Sequence, residues 1–253
     1  VGALVLKGGL LGLTLAYLIS GGIAAICGYK LLSRRFFKPV TKIDWAYSWR
    51  LLRQALPLGG AILLSILYTR TAVFLLDPLK GSSAVGVYGV AQKLTEPLAI
   101  LPAALMAAVF PAFAQALCSD IDRARWLRRR TLLMLMGAGA AIALGGAFGG
   151  PWLINVLYHT QYLDSISPLQ ILAISTLLTF INYALTHFTV ALNLQRWLLL
   201  FHVGLLIFNA SLCLVLIPAL GPTGAALATL LSEGLLCALC IITLLHHPLD
   251  QFI

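Results

Sequence analysis

Long apolar runs alternate with short polar turns along the whole chain. Seven uncharged or nearly uncharged stretches occupy residues 8–29, 54–76, 97–119, 131–158, 165–195, 197–218 and 222–245. An α-helix rises about 1.5 Å per residue, so about 20 apolar residues cross a hydrocarbon core ~30 Å thick. The pattern predicts an all-α fold, a polytopic transmembrane helix bundle with about seven spans.

The composition excludes an ordinary soluble protein. Hydrophobic residues make up 60% of the chain and charged residues only 10%, whereas a soluble domain needs a charged surface. The net charge of +9 would suit nucleic acid, but its distribution along the chain argues against that partner.

The basic residues are concentrated in alternate turns. Thirteen lie in three of these turns, whereas the intervening turns hold only Lys80; the thirteen are Lys30, Arg34, Arg35, Lys38, Lys42, Arg50, Arg53, Arg123, Arg125, Arg128, Arg129, Arg130 and Arg196. Such asymmetry is the signature of the positive-inside rule. It predicts that the loops at 30–53 and 118–130 are cytoplasmic, and that anionic membrane lipids are secondary partners.

This orientation places the carboxyl end in the cytoplasm and, with seven spans, the amino end outside. The chain begins at Val1 and its first span starts almost at once. We therefore expect it to be part of a longer protein with upstream helices.

One polar segment is long enough to separate two helical lobes. Residues 34–53 combine basic with aromatic side chains, which suits an amphipathic segment in the cytoplasmic headgroup layer. The predicted organisation is a transmembrane helix at 1–33, this linker at 34–53, a six-helix lobe at 54–246 and a cytoplasmic tail at 247–253.

The third span differs from the others. Residues 84–117 are compatible with a helix about 51 Å long, well beyond the core thickness, and they include Pro97, Pro102 and Pro111. Proline kinks a helix, and membranes tolerate this where protein or water satisfies the freed carbonyls. We expect this helix to be bent and to line a cavity.

Four charged residues lie within the predicted spans, at similar depths between the outer half of the bilayer and its midplane: Arg70, Lys93, Glu96 and Glu233. Charges inside a membrane are costly and seldom face lipid. One interpretation is a substrate-binding site in which Arg70 and Lys93 bind an anionic headgroup. Glu96 and Glu233 would then balance its charge or take up a proton or cation.

Purely structural roles remain open for all four. Arg70 could reach outward to Asp77, and Lys93 could neutralise Glu96 at i, i+3. Glu233 could be a protonated carboxyl bonded to a neighbouring helix. The intramembrane asparagines Asn182, Asn193 and Asn209 are expected to form hydrogen bonds between helices.

Enzymatic chemistry finds no support in the sequence. The outward turns are short, at 77–83, 159–166 and 218–222, and no catalytic triad order, metal-ligand spacing or phosphate-binding loop occurs. We therefore predict a protein that is not an enzyme, without catalytic residues, cofactor or metal.

Two segments carry a resemblance to a known family. The first includes Val85-Gly86-Val87-Tyr88-Gly89-Val90-Ala91-Gln92-Lys93-Leu94, and the second is Leu216-Ile217-Pro218-Ala219-Leu220-Gly221-Pro222-Thr223-Gly224-Ala225-Ala226-Leu227-Ala228-Thr229. Together they resemble the polysaccharide and oligosaccharide flippases of the multidrug/oligosaccharidyl-lipid/polysaccharide exporter superfamily. The resemblance implies that 54–246 is the C-terminal lobe of a two-lobe flippase and that 1–33 belongs to or follows its N-terminal lobe.

The resemblance also implies a function. The expected activity is transport of an undecaprenyl-diphosphate-linked oligosaccharide across the bacterial inner membrane by alternating access, for polysaccharide biosynthesis. The expected partners are that lipid-linked oligosaccharide pyrophosphate, membrane lipids and the N-terminal lobe of the same protein. The alternatives are a cation-coupled multidrug exporter of the same superfamily, with Glu96 and Glu233 as coupling carboxylates, and a membrane glycan-processing enzyme.

Overall fold

The computed structural model describes residues 9–35 and 44–247, which are helical and contain no strand. In chain order the elements are α1 Gly9–Arg35, α2 Trp45–Thr95, a 3₁₀ segment Glu96–Ala99, α3 Ile100–Ser119, α4 Ile121–Tyr158, a 3₁₀ segment His159–Ser165, α5 Ile166–Ala191, α6 Gln195–Leu220 and α7 Pro222–His246.

Parts of the predicted linker and tail lie outside the described residues. These are Lys38 and Lys42 of the basic loop and the tail beyond His247. The chain divides into two compact units, residues 1–53 and 54–253. In the first unit α1 is apolar along most of its length, and the aromatic residues Trp45 and Trp49 at the start of α2 are exposed.

Glycines with positive φ produce two of the reversals between spans. Gly81 has φ +81° and ψ 172° within α2, and Gly221 has φ +58° between α6 and α7. A residue with a Cβ is strained in this region of φ/ψ space, so glycine suits both sites. Pro222 then occupies the first turn of α7, where its missing N–H has no helical partner to lose.

The break at Gly81 divides α2 into two antiparallel spans. Arg70 and Glu96 are 26 residues apart, which is about 39 Å along a straight helix. Their side chains are nevertheless 3.0 Å apart, because the chain turns back between them. The second and third spans therefore form an antiparallel hairpin.

Six helical stretches in the described residues are long and apolar enough to cross a membrane, by length and composition. One of them, Trp45–Ser119, is 75 residues long and contains the reversal at Gly81, so it makes two passes. The predicted all-α transmembrane bundle is confirmed, and the chain is a multi-pass membrane protein.

The long third span bends where proline interrupts it. The α-helix ends at Thr95, and Pro97 lies in the 3₁₀ segment that precedes α3. Proline has no N–H to donate and clashes with the carbonyl four residues earlier, so the α-helix cannot continue through this point. The predicted bend therefore lies next to Glu96.

Helix α5 is the central helix of the second unit and packs against α3, α4, α6 and α7. Gly146 allows the close approach of α4, since a Cβ built there would collide with Ala173 of α5. The adjacent Gly145 faces open space. Close packing through small residues is the usual way in which helices associate in lipid.

Two apolar clusters form the core of this unit. One adjoins the turns at Gly81, His159–Ser165 and Gly221, and includes Leu76, Ile154 and Ile217. The other adjoins the opposite turns and includes Phe113, Phe188 and Leu205. Along α5 and α7 a more polar segment lies between the two clusters, near the middle of each helix.

Candidate functional site

A cavity of about 140 Å³ lies between the two apolar clusters. Segments of α2, α5 and α7 and the first 3₁₀ segment form its wall, and eleven of its fourteen lining residues are polar. The lining residues are Tyr68, Thr69, Tyr88, Gln92, Thr95, Glu96, Ala99, Leu172, Ser175, Thr176, Thr179, Phe180, Thr229 and Glu233. Polar side chains at this depth are costly in a membrane protein unless they face a partner or a cavity.

Helical periodicity brings these polar groups to one place. On α5, Ser175 and Thr179 are four residues apart, and on α7 Thr229 and Glu233 have the same spacing. Residues at i and i+4 lie on the same face of a helix, so each pair forms a short polar stripe. The stripes of α5 and α7 meet in the cavity wall.

Glu233 lies in the middle of α7 and is only 7% exposed. Asn182 of α5 donates from Nδ2 to its Oε2 atom at 2.7 Å and to its backbone carbonyl at 2.9 Å. The Tyr68 hydroxyl donates to its Oε1 atom at 3.0 Å. Neutral donors from two neighbouring helices thus hold this carboxyl group, and none of its described hydrogen-bond partners is a cation.

Glu96 lies at the start of the 3₁₀ segment, on the more open side of the cavity. Its Oε1 atom accepts a hydrogen bond from Arg70 Nη2 at 3.0 Å, and the side chains of Glu96 and Arg70 are 51% and 48% exposed. The structure therefore pairs Arg70 with Glu96. This differs from the two alternatives left open by the sequence, in which Arg70 pairs with Asp77 and Lys93 pairs with Glu96.

Threonine hydroxyls in the wall donate to their own helices. Thr95 bonds to the carbonyl of Ala91, Thr176 to that of Leu172, Thr179 to that of Ser175 and Thr229 to that of Ala225, at 2.9–3.1 Å. A hydroxyl has one proton to donate and two lone pairs. Once the proton is used, the oxygen presents only acceptor capacity to the cavity.

The four charged residues singled out by the sequence do not all reach the cavity. Glu96 and Glu233 line it, and Arg70 contacts it through Glu96. Lys93 is exposed and is not part of the described lining. The expected hydrogen bonding across helices is confirmed for Asn182, which bonds to Glu233, and for Asn209, which bonds to Ser232. The expectation is wrong for Asn193, which lies in the turn between α5 and α6 with φ +59°.

The sequence analysis did not predict the hydroxyl-bearing side chains of the cavity wall or the role of Tyr68 among them. The spacing Ser175, Thr179 and Asn182 follows i, i+4, i+7 on one helix, and this signal was available. Single serines and threonines in membrane helices usually bond to their own backbone. A stripe of hydroxyl groups therefore indicates a polar site only when a carboxyl group of another helix faces it.

Comparisons with known proteins show what the chain as a whole is similar to. A family model described as "Polysaccharide biosynthesis protein" matches residues 1–117. No curated protein matches the chain. Among solved structures, a MOP superfamily transporter from Pyrococcus furiosus is similar, with a TM-score of 0.66 and 19% identity over 76% of this chain. That structure was described as having a binding pocket of reverse polarity that suggests a different function.

The chain spans 44% of the length of that transporter. Its class is thus defined: an all-α, multi-pass membrane protein with the fold of MOP superfamily transporters. The sequence match over residues 1–117 and the similar fold together support the resemblance to the polysaccharide flippases that the motifs carry.

Proposed function

We propose that this chain forms one lobe of a transporter that flips an undecaprenyl-diphosphate-linked oligosaccharide from the cytoplasmic to the outer leaflet of the bacterial inner membrane. The match to the polysaccharide biosynthesis family is the observation that carries this proposal. A polar cavity midway along the helices, open on the side of Glu96, supports it.

The charged residues suggest where the two parts of such a substrate would bind. The pyrophosphate would meet Arg70 and Lys93, both of which are exposed, while the saccharide would occupy the cavity next to Glu96 and Glu233. Because the Arg70 guanidinium already bonds to a carboxylate, an arriving phosphate would compete with Glu96 for the same planar donor.

Alternating access would move this site between the two faces of the membrane. The N-terminal lobe of the same protein would close the other side of the substrate pathway. Transport of this kind breaks no covalent bond, so the proposal requires no enzymatic group.

Replacement of the two basic residues tests the proposal in cells. We expect Arg70→Ala to abolish surface glycan at normal membrane expression, and Arg70→Lys to restore only part of it, because a point charge replaces a two-pronged donor. Lys93→Ala should weaken transport non-additively with Arg70→Ala if both contact one ligand. Lys80→Ala, an exposed lysine in the turn near Gly81, is the matched control and should leave surface glycan unchanged. Full surface glycan in the Arg70→Ala/Lys93→Ala variant would refute this site.

The proposed orientation can be tested separately. In a protein whose native cysteines have been replaced, cysteines introduced at the exposed positions Ser82 and Gln161 should react with an impermeant thiol reagent from outside. A cysteine at the exposed position Arg129 should react only after permeabilisation. Labelling of Arg129→Cys in intact cells would contradict the orientation.

A cation-coupled multidrug exporter is the second candidate. The observation that favours it is the pair of carboxylates in a cavity whose described lining contains no lysine or arginine. Cells that express the protein would then export a cationic dye such as ethidium, with loss of export in Glu233→Gln. Dye export without any change in surface glycan would favour this candidate over the flippase.

A further inference from the structure

The hydrogen-bonding capacity of the cavity wall is strongly one-sided. The hydroxyl protons of Thr176, Thr179 and Thr229 are already donated to backbone carbonyls of their own helices. The Tyr68 proton is donated to Glu233, and the hydroxyls of Tyr88 and Thr229 are 3.4 Å apart. Because the Thr229 proton is used elsewhere, Tyr88 is the donor in that contact.

Acceptors therefore outnumber free donors in the wall. Glu96 and Glu233 contribute carboxylate oxygens, which accept hydrogen bonds and cannot donate when ionised. The back-bonded threonines contribute further lone pairs. Gln92 carries an amide and Ser175 a hydroxyl that can donate, and the basic side chains Arg70 and Lys93 are not part of the described lining.

Two buried polar atoms beside the cavity have no partner in the described part of the chain: a hydroxyl that can donate or accept, and an amide oxygen that can only accept. Ser175 lines the cavity and is 2% exposed, and its Oγ atom has no hydrogen-bond partner among the described residues. The Oδ1 atom of the adjacent buried Asn182 is also unpartnered in the described part of the chain. The hydrogen-bond network favours this orientation of the amide, since rotating it would place Oδ1 against two acceptor oxygens of Glu233. Buried polar groups nearly always have partners, so unpartnered ones point to a ligand or water.

The volume of the cavity limits the size of the group that can enter it. An apolar cavity of ~150 Å³ is known to admit one benzene ring. The cavity described here has a volume of about 140 Å³ and is bordered by the half-exposed Glu96, so one six-membered ring can enter while the rest of the molecule extends outward.

We infer that this cavity is a saccharide subsite selective for charge: it accepts a neutral or amino sugar and rejects an acidic one. Sugar hydroxyl and amino groups supply the donors that the wall lacks, and a carboxylate accepts two neighbouring hydroxyls at once. A uronic acid would bring in a further carboxylate, which only accepts hydrogen bonds, beside the carboxyl groups of Glu96 and Glu233. The wall has few donors to satisfy it, and the Arg70 guanidinium is already paired with Glu96. This inference rests on the proposed function and specifies which saccharide it transports.

The test uses the full protein reconstituted in lipid vesicles. The substrates are two undecaprenyl-diphosphate saccharides that differ only in the first sugar, which is N-acetylglucosamine in one and glucuronic acid in the other. We expect the neutral form to be flipped faster by about tenfold or more. Glu96→Gln and Glu233→Gln should each reduce this preference several-fold, mainly by raising the rate for the acidic form. Because Glu96 is half-exposed, its variant should remain folded even if the Glu233 variant does not.

A matched pair of threonine variants on α7 distinguishes a loss of substrate binding from a loss of helix stability. Thr229→Val removes a hydroxyl in the wall, and Thr243→Val removes one that is bonded in the same way to Leu239 but lies outside the described lining. Only Thr229→Val should slow flipping of the neutral form. Equal rates for both substrates, or an unchanged preference in Glu96→Gln, would overturn this inference but not the proposed function. No flipping of either substrate would overturn both.

Discussion

Glu96 and Glu233 line the same cavity, yet the two regions hold a carboxylate in opposite ways. Glu233 is 7% exposed within the α5–α7 interface and bonds to the uncharged donors Asn182 and Tyr68. Glu96 is half-exposed beside a break in the helix and bonds to Arg70. The interface around Glu233 holds its donors in place by packing, whereas the more open region offers room for a long, mobile cation.

This difference in surroundings predicts different roles for the two carboxyl groups, one in stability and the other in ligand binding. Fixed neutral donors lose little conformational entropy when they bond, so the Glu233 cluster should stabilise the helix packing. An exposed ion pair gives little stability, but its partners can exchange for a ligand. We therefore expect the α5–α7 contact to be mainly structural and the Arg70–Glu96 pair to be mainly functional.

The largest effect is expected for Asn182→Leu. This change leaves the buried Glu233 carboxyl without its 2.7 Å donor, and the free energy of unfolding should fall by about 3 kcal/mol. The measurement is reversible unfolding of the protein in bicelles. The control is Asn209→Leu, which removes a 3.1 Å bond to the neutral Ser232 and should cost about 1 kcal/mol. Equal losses would show that a hydrogen bond to the Glu233 carboxyl group contributes no more to stability than one to the Ser232 hydroxyl.

A smaller effect is expected for Tyr68→Phe. The substitution keeps the buried ring and removes the hydroxyl that donates to Glu233, so stability should fall by about 1.5 kcal/mol. Tyr88→Phe is the matched control, because its hydroxyl makes only a 3.4 Å contact with Thr229, and it should cost less than about 1 kcal/mol. A larger loss of stability for Tyr88→Phe than for Tyr68→Phe would show that the Tyr88–Thr229 contact matters more than the Tyr68–Glu233 hydrogen bond.

The smallest effect on stability is expected for Glu96→Gln. The change should alter the free energy of unfolding by less than about 1 kcal/mol, as for other exposed ion pairs. Asp122→Asn, which removes the carboxylate of the exposed Arg125–Asp122 pair, is the control and should have a similar effect. A loss of several kcal/mol for Glu96→Gln alone would show that the pair faces lipid instead of water. It would contradict the expectation that the Arg70–Glu96 pair is mainly functional.

The arrangement of Arg70, Lys93 and Glu96 shows where sequence reasoning reached its limit. On an uninterrupted helix Lys93 and Glu96 would be neighbours at i, i+3. The α-helix instead ends at Thr95, before Pro97, so Glu96 begins a 3₁₀ segment of different pitch. Its carboxylate contacts Arg70 of the preceding span. Pro97 was visible in the sequence, but the direction in which the bend turned Glu96 was not.

The sequence alone determined the class of fold and the order of the spans. A bilayer requires about 20 consecutive apolar residues for each pass, so the spans are local features of the chain. Tertiary structure decided which side chains face one another: Glu233 with Asn182 and Tyr68, and Glu96 with Arg70. The physical reason is that in a helix almost uniformly apolar on all sides, periodicity does not indicate which face is buried. Packing between spans distant in sequence makes that choice.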